Sequence, residues 1–126
     1  MNILDSSGWL EYFTDGPNAE SFSEPLENLD ELVVPTICIY EVFKVVLRES
    51  GEDNAIQAIA LMKQGKIVDL TQDIALTAAK MSYEQKLPMP DSIILATAKR
   101  HDAVIWTQDI DFKEKPSVQY FRPNKK

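Results

Sequence analysis

Short runs dominated by apolar residues recur along the chain, with helical patterns between them. They are Ile3-Leu4, Leu32-Val33-Val34, Ile67-Val68-Asp69-Leu70, Ala103-Val104-Ile105-Trp106 and Val118-Gln119-Tyr120-Phe121. A strand with one wet face alternates apolar and polar residues. A strand that is apolar throughout must be covered on both faces, which is the habit of parallel sheets flanked by helices. The pattern therefore predicts an α/β sandwich with a mostly parallel sheet. Sheets of this kind bind ligands beyond the carboxyl ends of their strands.

Local signals place the helices. Ser6 or Ser7 is expected to cap the first, in which Trp9, Leu10 and Phe13 fall at helical spacing, and Gly16-Pro17 ends it. Residues 18–30 are polar around Ala19, Phe22, Leu26 and Leu29, and Pro25 splits them into two short helices. After Pro35 stops the second strand, Thr36 is expected to cap a helix from Ile37 to about Glu49, ended by Gly51. Asp53 is expected to cap the next, through Ile56, Ile59 and Met62. Thr71 is read as the cap of a helix running to about Lys86. Leu87-Pro88-Met89-Pro90 is expected to be extended, because a residue before proline avoids the helical region. Asp91 then opens a helix through Ile94, Leu95 and Ala98. Residues 107–111 are read as a loop and Pro123 to Lys126 as a frayed tail.

Composition narrows the function. A chain of 126 residues without repeats is read as one domain, spanning 1–126. A single cysteine, Cys38, excludes an internal disulfide, and with a single histidine, His101, it excludes a structural zinc site. No apolar run approaches the roughly 20 residues that span a bilayer. The first residues carry no basic region, so no signal peptide is read and the cytoplasm is the expected location. A net charge of −7 argues against a broad basic surface for nucleic acid. It does not argue against an enzyme that gathers acids around a cation.

Four acids stand out from the core pattern. Asp5 closes the first strand, and Asp109 lies just past the end of the 103–106 strand. Asp91 is in the first turn of its helix. Glu41 is in the second turn of the Ile37 helix. Strand ends and helix starts face the same edge of such a sheet, so the four carboxylates can converge. Converging carboxylates repel unless they hold protons or a cation. Oxygen ligands without His or Cys suit Mg²⁺ or Mn²⁺, and that set points to phosphodiester or phosphoryl hydrolysis. Each acid also has a plainer role: Asp5 and Asp91 as helix caps, Glu41 as a partner of Lys44 or Arg48, Asp109 and Asp111 as turn residues. Cys38 is read as a buried small residue. Lys99, Arg100 and His101 end a helix, where cations are favoured. Lys44, Arg48, Lys99 and Arg100 are usable on phosphates.

The set resembles the PIN domain, most closely the VapC-like toxins of toxin–antitoxin pairs. Asp5-Ser6-Ser7, Glu41 after Pro35-Thr36, Asp91 opening Asp91-Ser92-Ile93-Ile94-Leu95-Ala96-Thr97-Ala98, and Val104 to Phe112 with Asp109 carry the likeness. It spans Asn2 to Phe121. The resemblance implies a PIN-like three-layer α/β/α sandwich and a Mg²⁺- or Mn²⁺-dependent endoribonuclease acting on RNA. Asp5, Glu41 and Asp91 would bind metal, with Asp109 completing the site. Ser6 and Thr107 would orient the acids or their waters. Asp111, before Phe112, also fits the family's pattern for the fourth acid, and side chains two apart in an extended segment share a face. Asp109, nearer the strand end, is preferred, with Asp111 read as capping or shaping the loop. It further implies a homodimer held by a cognate antitoxin whose C-terminal segment covers the toxin. Trp9, Tyr12 and Phe13 suit such a surface, and core packing accounts for them equally. The competing readings are a Mg²⁺-dependent phosphatase, for which the second acid after Asp5 is missing, and a non-catalytic PIN-like module that binds RNA or protein.

Overall fold

Ile3 and Leu4 point to opposite faces of one strand, and neither retains any exposure. In the computed structural model, which describes residues 1–123, they belong to β1 (Asn2–Leu4). The chain then forms α1 (Ser6–Phe13), α2 (Ala19–Ser23), two 3₁₀ turns, β2 (Val33–Pro35), α3 (Thr36–Ser50) and α4 (Glu52–Met62). Next come β3 (Lys66–Val68), α5 (Gln72–Gln85), α6 (Met89–His101), β4 (Val104–Thr107), a 3₁₀ turn (Ile110–Phe112) and β5 (Val118–Tyr120). The tail expected to fray lies, from Asn124 on, outside the described residues.

β1 pairs with β4, β4 with β5 and β2 with β3, all in parallel. A parallel bridge between Asn2 and Leu32 joins the two groups. The resulting order is β3-β2-β1-β4-β5, with helices covering both faces: a three-layer α/β/α sandwich. The order reverses between β1 and β4. In sheets of this kind the carboxyl edge at such a switch point is where ligands bind.

One core joins α1 through α4 and α6 to the sheet through Trp9, Phe22, Cys38, Val42, Met62 and Ile94. A second, between α5 and α6, holds Ile74, Ala78, Ile93 and Ala96. α6 therefore faces both the sheet and α5, and its start is held firmly. Gly8 is where α1 meets the sheet: a Cβ there would sit 2.9 Å from the Phe22 ring and 3.2 Å from the Trp106 carbonyl oxygen. Only glycine permits that approach.

Several expected boundaries shift for identifiable reasons. α1 is capped by Asp5, whose carboxylate accepts from the Gly8 N–H at 3.0 Å; Ser6 and Ser7 are already helical. Thr36 is likewise the first helical residue of α3, after Pro35. α4 starts from Gly51 at φ 87°, with Asp53 in its first turn. α6 begins at Met89, so only Leu87-Pro88 is extended. Pro90 fits the first turn, where its missing N–H costs no hydrogen bond. Beyond Pro25 the chain makes 3₁₀ turns instead of a second α-helix. Trp9 is fully buried, which removes it from any exposed surface, while Tyr12 and Phe13 are half-buried around it.

Candidate active site

The pairing of β1 with β4 sets the carboxyl ends of the two strands side by side and brings together residues far apart in the chain. Asp5 follows β1 and is 3% exposed. Its Oδ2 accepts from Thr107 Oγ1 at 2.6 Å, and its Oδ1 accepts from Ser7 Oγ at 2.7 Å. With the Gly8 N–H, three donors hold this carboxylate. They favour its charged form, but burial outweighs them and, with a smaller push from Asp109, raises its pKa to about 6.

Thr107 ties the site to the next loop. While donating to Asp5, its hydroxyl accepts from the Asp109 N–H at 2.8 Å. Ser7 does the same from α1, accepting from the Gln108 N–H at 3.2 Å. Sequence reasoning gave Ser7 no role beyond a helix cap. Its signal was its place two residues after Asp5, where a hydroxyl can turn back onto the preceding carboxylate. Ser6, on the neighbouring position, donates to Glu41 Oε1 at 2.6 Å and so links α1 to the second turn of α3. Glu41 is half-buried on this contact, not on an ion pair with Lys44 or Arg48.

The tightest gathering of acids is Asp91, Asp109 and Asp111, each offering a carboxylate oxygen within 4.8 Å of the others. Asp91 comes from the first turn of α6 and is 9% exposed. Burial, then the charges of Asp109 and Asp111 and a hydrogen bond with Asp111, push its pKa up to about 8. The cap of the 3₁₀ turn is Asp109, whose Oδ1 accepts from the Asp111 N–H at 2.9 Å, so the capping role expected of Asp111 falls to Asp109. Both side chains nonetheless reach Asp91. Phe112, fully buried, anchors this turn, and burying such a ring is worth ~2–3 kcal/mol. Asp5 and Glu41 are not members of this trio. Asp5 lies close enough for its charge to raise the Asp91 pKa.

The other singled-out residues are peripheral. Cys38 is fully buried with Sγ 3.8 Å from the Leu4 carbonyl oxygen, and burial pushes its thiol pKa well up, which leaves it inert. Arg48 pairs with Glu49 and Arg100 with Asp73. His101 closes α6, but burial and the charges of Lys66 and Arg100 lower its pKa.

The donor set is all oxygen, crowded, and reluctant to be fully ionised without a counter-charge. Those are the properties of a site for a hard divalent cation. Comparisons with known proteins agree with the architecture. The family model described as PIN domain matches residues 3–117. No curated protein matches the chain in sequence. Among solved structures, a toxin–antitoxin complex from Klebsiella pneumoniae contains a chain 27% identical, with a TM-score of 0.79 over 94% of this chain and 96% of that one. VapC20 of Mycobacterium tuberculosis, described as a Sarcin-Ricin loop cleaving toxin, is 16% identical, with a TM-score of 0.78 over 94% of this chain and 97% of its own. FitAcB from Neisseria gonorrhoeae is 20% identical, with a TM-score of 0.75 over 94% and 96%.

Proposed function

The chain belongs to the PIN domain family, and from that premise we propose that it is the nuclease toxin of a toxin–antitoxin pair, a Mg²⁺- or Mn²⁺-dependent endoribonuclease. The observation that carries the reading is the Asp91, Asp109 and Asp111 cluster, with Asp5 near enough for its charge to act on Asp91. Asp91 and Asp109 would hold the cation, with Asp111 at the exposed rim. Asp5 and Glu41 would contribute directly or through water. A divalent cation bound there supplies Lewis-acid stabilisation of the phosphoryl oxygens and a water of lowered pKa. The protein's part is positioning: Ser7 and Thr107 fix the Asp5 carboxylate, Ser6 fixes Glu41, and the Phe112 anchor fixes the loop acids. RNA as the substrate, a cognate antitoxin, a homodimer and a cytoplasmic location complete the proposal. The toxin–antitoxin neighbours support the partner. Among the described residues no helix is long and apolar enough to cross a membrane.

Incubating mixed RNA with the purified protein tests this. Cleavage in Mg²⁺ or Mn²⁺ and none in EDTA is the expected result. Cleavage that persists in EDTA, or a folded protein that neither cleaves nor binds metal by calorimetry, would sink it. Replacing Thr107 by Val keeps the shape but removes the donor to Asp5 and the acceptor for Asp109. Manganese affinity should fall about 10- to 100-fold, the usual cost of losing a group that orients ligands. Calorimetric titration should show Thr107→Ser close to wild type.

A further inference from the structure

An enzyme with a net charge of −7 and a cluster of acids at its site repels a polyanionic strand, so substrate affinity has to come from contacts beside the acids. Among the described residues two aromatic side chains are exposed, Tyr40 at 60% and Tyr83 at 87%. Of these only Tyr40 has a cation against its ring: Lys44 Nζ lies 5.8 Å from the centroid. Tyr40 is also the residue immediately before Glu41 on α3.

Helix geometry fixes which way the pair faces. At about 100° per residue, Lys44 stands roughly 60° and Tyr40 roughly 100° round from Glu41, both to the same side. Cys38 and Val42, which anchor α3 in the core, lie on the other side of Glu41. A side-chain acid of the site is therefore flanked on its solvent side by an exposed aromatic ring and an exposed ammonium. Core packing does not account for this ring. Nor does helix stability, since tyrosine is only a middling helix former.

We propose that Tyr40 and Lys44 form a nucleotide subsite beside Glu41, in which Tyr40 stacks an unpaired base and Lys44 takes an adjoining phosphate. This rests on the nuclease reading and extends it to substrate engagement. An aromatic ring beside a cation is the pairing by which proteins hold single strands without reading sequence. Paired bases offer no free face, so the subsite selects single-stranded RNA over duplex.

The test is the affinity for a short fluorescein-labelled single-stranded RNA, read by anisotropy in Mg²⁺. All variants are built on Asp91→Asn so that the strand stays intact. Tyr40→Ala should weaken binding about 5- to 150-fold, the range for loss of one stacked base. Tyr40→Phe should bind like the parent. Lys44→Gln should bind more weakly, with the salt dependence flattened by about 0.7 for one lost phosphate contact. Position 40 is exposed, so these changes leave folding intact. If the parent binds no single strand, or Tyr40→Ala binds within about twofold of it, the subsite is overturned. Cleavage by the unsubstituted chain is measured beside it. Cleavage with unchanged Tyr40→Ala binding rejects the subsite and leaves the nuclease. Loss of binding without cleavage rejects the nuclease and leaves the subsite.

Discussion

Asp91→Asn should lower metal-dependent RNA cleavage by about 10³-fold or more while leaving the protein folded. Asp91 is the least exposed member of the three-acid cluster and the one whose charge the site resists most. The amide keeps the size but cannot carry the charge that a cation neutralises. Cation-based stabilisation of a phosphoryl centre is worth several kcal/mol, and ~4 kcal/mol is about 10³ in rate. The measurement is initial cleavage rate at saturating Mn²⁺, with calorimetric metal affinity beside it. Because the substitution also removes like-charge repulsion, the variant should unfold at a higher temperature than wild type in metal-free buffer at pH 8. Undiminished cleavage in a variant that no longer binds metal would place the chemistry elsewhere.

The second large effect is on stability. Asp5 has its pKa raised from 3.8 to about 6 and Asp91 from 3.8 to about 8. In the unfolded chain both lose their protons near pH 4. In the metal-free folded chain they keep them until about pH 6 and pH 8. Between those limits the folded state binds more protons, so stability is full below the unfolded values and is lost as pH rises. Asp5 alone, shifted by roughly two units in a buried position, accounts for about 3 kcal/mol of that loss. Asp91 adds less than its shift suggests, because part of that shift belongs to the shared titration of the crowded acids Asp109 and Asp111. Urea unfolding at pH 5 and pH 8 should show the metal-free protein distinctly less stable at pH 8. Mn²⁺ should restore it there and do little at pH 5, where binding must first displace protons. Asp91→Asn should shrink the difference. Equal metal-free stability at both pH values would contradict the crowded-acid description of the site.

The apolar runs Ile3-Leu4 and Leu32-Val33-Val34 announce their own burial, because a strand with no polar residue on either face has no face to give to water. β1 and β2 were legible for that local reason, and the α5 cap at Thr71 and the stop at Gly51 from residue type. The run Ile67 to Leu70 misled: β3 is Lys66–Val68, an edge strand largely exposed to solvent, and Leu70 lies outside it. The family was legible, because its motifs lie in contiguous stretches. The acids at Asp5, Glu41, Asp91 and Asp109 could be named from their positions at strand ends and helix starts. Their distances could not. Asp91 meets Asp109 and Asp111 because α6 runs back along the sheet before turning into β4, so its start lies by the end of β4, and how closely the three acids crowd is set by the packing of helix and loop. The pairing of β1 with β4 puts Thr107 against Asp5, some hundred residues away, and makes Asp5 a helix cap and a candidate site acid at once. That Asp109, not Asp111, caps its turn is by contrast local: its carboxylate accepts from the N–H two residues on, while its own N–H donates to Thr107 two residues back. Sequence alone determined which segments fold and which residues carry charge, since both follow from local chemistry. Only the tertiary structure decided which charges crowd and which hydroxyls hold them, since those depend on contacts between segments far apart in the chain.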